Sequence, residues 1–126
     1  MKRLILIVED AESCRETLEV ALMDLPNLTV QSVTSGEEAL EWLARHEPCA
    51  LVTDLHLPRM DGWDLIAAVR LQPKRSSLPI LVISGDSDPS MRARVAGLGA
   101  NAYFVKPFSP AEVRQKVAEL INGAAA

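Results

Sequence analysis

The sequence predicts an α/β protein, a doubly wound sheet of parallel strands with helices on both faces. Three observations point there. Strand-like and helix-like patterns alternate about five times along the chain. The first apolar run, Leu4-Ile5-Leu6-Ile7-Val8, is continuous, as in a strand buried on both faces of a parallel sheet. The chain has 126 residues, the size of one domain that can bury a core without staples.

The elements follow in order. Residues 3–8 form the first strand. Residues 11–24 read as a helix, with Leu18, Ala21, Leu22 and Leu25 at helical spacing and Pro26-Asn27 as the stop. Residues 28–33 alternate Leu28, Val30 and Val33 with polar residues, the pattern of an edge strand. Ser35-Gly36-Glu37-Glu38 is a capping box, and the helix behind it turns Ala39, Leu40 and Leu43 inward and ends near His46. A third strand spans 50–54. The loop from Leu55 to Gly62 is rich in turn formers, and a short helix follows through Leu65, Ile66, Val69 and Arg70. Lys74-Arg75 reads as a surface turn. A fourth strand spans 79–83. Asp88-Pro89 offers an N-cap with proline at the first helical position, and that helix ends at Leu98-Gly99. The fifth strand spans 102–105. Ser109-Pro110-Ala111-Glu112 opens the last helix, which presents Val113, Val117, Leu120 and Ile121. The domain is taken as 1–122, with 123–126 as a tail or the stub of a linker.

Hydrophobic residues make up 48% and charged residues 24%, and the net charge is -4, so nothing points to direct binding of nucleic acid. Cys14 and Cys49 are too few for a disulfide framework and read as reduced thiols without chemistry. Met1-Lys2-Arg3 before an apolar run loosely mimics a signal peptide, but the run is short and meets Glu9-Asp10 at once. No run approaches a membrane span. A cytoplasmic protein with no membrane attachment is expected.

The informative feature is what ends the strands. The first run ends in Glu9-Asp10, the third strand in Asp54, the fourth in Ser84-Gly85-Asp86, and the fifth in Lys106-Pro107. Ligands of doubly wound folds bind beyond the carboxyl ends of the strands. Parallel strands therefore gather these tips at one edge. Clustered carboxylates repel unless a cation neutralises them or some stay protonated, and a donor set of oxygens favours a hard ion such as Mg2+. With Lys106 opposite, Asp54 is placed to accept a phosphoryl group and Ser84 to hydrogen-bond its oxygens.

These residues resemble the receiver domain of response regulators over essentially the whole chain. The match rests on Glu9-Asp10, Asp54, the turn Pro58-Arg59-Met60-Asp61-Gly62, Ser84, Tyr103 and Lys106-Pro107-Phe108. The resemblance, to chemotaxis-regulator-like single domains, implies a flavodoxin-like sheet of five strands in the order 2-1-3-4-5. It implies that Asp54 takes a phosphoryl group from a sensor histidine kinase or a histidine phosphotransfer protein. Glu9, Asp10, Asp54 and the backbone carbonyl of His56 would hold Mg2+, and Lys106 would pair with Asp54 and then with its phosphate. The Lys106-Pro107 peptide is expected to be cis. Ser84 and Tyr103 would act as the switch, Tyr103 turning inward and changing the partners of the 88–121 surface, which could also serve a homodimer. His56 and Asp86, each two residues past a site residue, would tune the lifetime of the phosphate or simply sit solvated at its rim.

Other classes stay open on the residues alone. Glu9-Asp10 can cap a helix. An aspartyl-phosphate phosphatase usually needs a second acid two residues after the nucleophile, where this chain has His56. A flavodoxin-like redox protein needs a hydroxyl- and glycine-rich phosphate loop, where this chain has Glu9-Asp10-Ala11-Glu12. An interaction module of the same fold, independent of phosphorylation, is the remaining alternative. The Met1 start suits a free-standing receiver and the alanine-rich end suits a cut linker. The output is then either a separate protein target or a domain missing here.

Overall fold

The computed structural model describes residues 3–125. Its five strands are β1 (Arg3–Val8), β2 (Leu28–Val33), β3 (Ala50–Asp54), β4 (Ile80–Ser84) and β5 (Ala102–Val105). The helices are α1 (Glu12–Met23), α2 (Gly36–Leu43), α3 (Gly62–Arg70), α4 (Met91–Leu98) and α5 (Pro110–Ala125). The sheet runs β2-β1-β3-β4-β5 with every pairing parallel, as expected. Its register places Val8 beside Thr53, Asp54 beside Ile83 and Ser84 beside Val105, so the carboxyl ends finish level with one another.

Period-two alternation sorts the central strands between two cores. Leu6, Val8, Leu51, Ile80 and Val82 face α2, α3 and α4 through Leu43, Leu65, Ile66, Val69 and Val95. Ile5, Ile7, Val52, Leu81 and Ile83 face α1 and α5 through Leu18, Leu22, Val113, Val117 and Ile121. Each fully buried aliphatic side chain contributes about 1.5–3 kcal/mol. This explains why the run in β1 has no polar residue: both of its faces are interior. The edge strand β2 keeps the mixed pattern, with Thr29 and Gln31 exposed.

Several details depart from the sequence expectation. Helix α2 stops at Leu43 rather than near His46; beyond it, His46 stacks on Trp42 with ring centroids 4.3 Å apart. β4 is displaced by one residue and takes in Ser84. Helix α4 begins at Met91, so Asp88 is not its N-cap. The Asp88 carboxylate instead accepts the amide of Ser90 at 2.9 Å, closing a turn ahead of the helix. Arg75 is not on the surface. It ends a 3-10 turn, is 5% exposed, and donates to the carbonyls of Leu43 and His46 and to the Gln72 side chain. A guanidinium at a helix C-terminus meets carbonyls that have no partner within the helix. The Ser35 cap of α2 is present: its Oγ accepts the Glu38 amide at 3.2 Å. The Glu38 carboxylate reaches one residue further back than expected, to the amide and hydroxyl of Thr34. Helix α5 continues past Ile121 to Ala125, while Met1, Lys2 and Ala126 lie outside the described residues. Among the described residues, no helix is long and apolar enough to cross a membrane.

Candidate functional site

The site is built where β1, β3, β4 and β5 end. Glu9 follows β1 and is 1% exposed. Its amide donates to Val33 in β2 at 3.1 Å, and its Oε2 accepts the Ala11 amide at 3.1 Å, so both backbone and side chain are fixed. Asp10 beside it is exposed. Asp54 ends β3 and is 5% exposed. Its Oδ1 accepts the His56 amide at 3.1 Å, and its Oδ2 accepts Lys106 Nζ at 2.8 Å.

Lys106 stands between the two buried acids. Its ammonium lies 2.7 Å from Glu9 Oε1, but off the hydrogen-bonding direction, so that oxygen is ion-paired yet buried without a hydrogen bond. Burial pulls the ammonium toward neutrality, but the carboxylates of Asp54 and Glu9 outweigh it and hold Lys106 above its ordinary value. The Lys106-Pro107 peptide is cis. The Lys106 amide donates to the Ser84 carbonyl at 2.7 Å, tying the end of β5 to that of β4.

Ser84 is fully buried, and its Oγ accepts the Asp86 amide at 3.1 Å. Tyr103 is buried at 3% exposure and donates its phenolic proton to the Asp86 carbonyl. The tyrosine expected to turn inward is thus already inside, against the β4–α4 loop. The His56 side chain is exposed and Asp86 partly so, both at the rim. Trp63 packs against the core and under the Arg94 guanidinium, 5.1 Å away.

Glu9, Asp10 and Asp54 each offer a carboxylate oxygen within 4.8 Å of the others. The donors are all oxygen, and one of the buried oxygens, Glu9 Oε1, lacks a hydrogen bond. Such a set fits a hard divalent cation such as Mg2+ and is a poor match for thiophilic metals. A cleft of about 370 Å3 opens at the opposite end of the sheet, lined by Arg3, Cys49, Lys74 and Ile121, away from every strand tip named above.

Three features escaped the sequence reading. Gly62 was read only as a turn former. A Cβ there would lie 2.2 Å from the Asp54 carbonyl oxygen, and the Gly62 amide donates to Leu55 at 2.8 Å, so only glycine lets the loop close behind Asp54. Arg15 reaches back to the carbonyls of Glu9 and Asp10. Cys14 has a basic neighbour, Lys106, from far along the chain. Burial and then Glu9 prevail, and the thiol is pushed up to about 12, which disfavours the thiolate.

The response regulator receiver domain profile matches residues 5–118. The chain belongs to the response regulator receiver family. This receiver is 32% identical to chemotaxis protein CheY-3 of Vibrio cholerae, over 94% of this chain and 91% of that protein. It is 37% identical to the ycf27 protein of Porphyridium aerugineum, over 96% of this chain but 49% of that protein. The receiver therefore spans about half the length of its ycf27 relatives and nearly all of its chemotaxis relatives. Among solved structures it resembles the receiver domain of the sensor histidine kinase PA1611 of Pseudomonas aeruginosa. That structure carries a magnesium ion coordinated in its active-site cleft (27% identity, TM-score 0.85, covering 97% of this chain and 99% of that one).

Proposed function

We propose that this receiver accepts a phosphoryl group on Asp54 from the phosphohistidine of a sensor kinase or phosphotransfer protein. The observation that carries this reading is Asp54 itself: a buried carboxylate at a strand tip, paired with Lys106 and adjoining two further acids. Glu9, Asp10, Asp54 and the His56 carbonyl would hold Mg2+. When bound, the ion would neutralise the acids and supply positive charge for the transferring phosphoryl oxygens.

In the transfer an Asp54 carboxylate oxygen forms a bond to phosphorus as the phosphorus–nitrogen bond of the donor breaks. The electron pair returns to the imidazole, which takes up a proton. The Lys106 ammonium holds the approaching phosphoryl oxygens beside Asp54. The Ser84 hydroxyl donates to the same oxygens, and Tyr103, seated on the Asp86 carbonyl, retains the β4–α4 loop in the arrangement that follows. The surface of α4, β5 and α5 then presents its bound-state form to a downstream protein, an attached output domain or a second copy. Hydrolysis of the acyl phosphate by water returns the carboxylate, and His56 and Asp86 at the rim set its rate. The receiver acts as a cytoplasmic signalling acceptor rather than as an enzyme with turnover on a separate substrate.

One observation favours a second reading. Tyr103 is buried in the unmodified chain, so a partner can meet the inward form without phosphorylation. Labelled phosphoramidate separates the two. The first reading expects label on wild type and none on Asp54→Asn, released by hydroxylamine as an acyl phosphate would be. A folded wild type that stays unlabelled favours the second. Loss of label from Asp54 should change rate in His56→Ala or Asp86→Ala; unchanged rates in both would leave these residues as bystanders.

A further inference from the structure

The junction between β1 and α1 carries both members of the acidic pair, yet it lacks the usual means of fixing a helix start. The N-cap is Ala11, whose side chain cannot accept an amide. The Glu9 carboxylate instead takes the amide of Ala11 itself. Helix α1 thus begins against one of the acids expected to face the cation.

Arg15 completes this junction. Its Nη1 donates to the Glu9 carbonyl at 3.1 Å and lies 3.4 Å from the Asp10 carbonyl, a bond and a longer contact from one nitrogen. Its own amide bonds to the Ala11 carbonyl at 2.9 Å, so its backbone belongs to the regular turn it reaches across. Among the described residues Arg15 makes no ion pair with a carboxylate. A cation near a helix N-terminus is opposed by the macrodipole. Its placement is therefore explained by the two carbonyls and not by the helix field.

We propose that Arg15 is a positioning residue for the acidic pair: by holding the Glu9 and Asp10 carbonyls it fixes the backbone that aims both carboxylates at the cation site. The inference rests on the reading of that site as a Mg2+ site. It touches no ligand itself; it acts through main chain, as outer partners of metal sites do.

Charge and position make opposite predictions. Removing a cation beside three carboxylates tightens binding of Mg2+ if charge alone matters. Removing the clamp weakens it. Mg2+ alone is titrated into the full chain and followed by backbone amide shifts, for wild type, Arg15→Met and Arg15→Lys. The methionine retains much of the packing of the stem, and the lysine keeps the charge but presents a point donor in place of a fork. About tenfold weaker binding in Arg15→Met is expected, with incomplete rescue in Arg15→Lys. In the metal-free state the Ala11 amide should exchange faster in Arg15→Met than in wild type.

Affinity in Arg15→Met equal to or tighter than wild type overturns the proposal while leaving the metal site intact. Absence of binding by wild type overturns the metal reading and this inference with it. Should Arg15→Met fail to fold, Arg15→Lys decides: affinity equal to wild type overturns the clamp, and a loss of several-fold with normal folding supports it.

Discussion

Lys106 links two carboxylates that the fold has almost withdrawn from water, and the stability of the site depends on that link. Glu9 is 1% exposed and Asp54 5%. Either charge left alone there is costly. Because Lys106 is held above its ordinary value, its pairing energy is fully present below the unfolded lysine value of about 10.4 and is lost only as pH rises through the folded one. At neutral pH it is intact. Lys106→Met should therefore lower stability to urea at pH 7 by about 2 kcal/mol, less than for a sealed pair because the ammonium keeps 26% exposure. An unchanged midpoint would show that the acids do not depend on it. Gly62 is the second dependence at this scale. Gly62→Ala places a methyl 2.2 Å from the Asp54 carbonyl and should cost about 3 kcal/mol or more, read as a lower thermal midpoint. Glu9, Asp10, Asp54, Ser84 and Lys106 were legible in the sequence because each directly ends an apolar run. Gly62 was legible only as a turn, since the contact that forbids a side chain comes from the end of another element.

Elements show the same division between local signal and tertiary contact. The strands and helix cores follow from period and apolarity, and Ser35 caps α2 as its sequence box requires. The start of α4 was misplaced because the capping chemistry of Asp88 is present but closes a turn on Ser90. Ser90 holds the Asp88 carboxyl below the usual range through its amide and hydroxyl. Arg75 was misread because two adjacent cations in a polar stretch look solvated, while the carbonyls that receive the guanidinium lie at the end of α2 and just beyond it. Arg75→Ala strips donors from the Leu43 and His46 carbonyls and should cost about 2 kcal/mol in urea unfolding. Phosphoryl uptake by folded Arg75→Ala should match wild type, because this contact lies away from the strand tips. Reduced uptake at full folding would tie the two ends of the sheet together.

At the scale of the molecule, the order β2-β1-β3-β4-β5 turns separate strand ends into one site. Parallel direction was readable because each apolar run is followed by a helical crossover, and right-handed crossovers leave few arrangements. The inward seat of Tyr103 was not readable, since it depends on the path of the β4–α4 loop and the Asp86 carbonyl it offers. The central claim is that these converged tips make Asp54 a Mg2+-dependent phosphoryl acceptor. The most direct test is the intact mass of the chain after incubation with acetyl phosphate, with and without Mg2+, for wild type and Asp54→Asn. One phosphoryl adduct on wild type, dependent on Mg2+ and absent from the variant, is the predicted result. An adduct of equal size on folded Asp54→Asn, or one formed equally well without Mg2+, would contradict it.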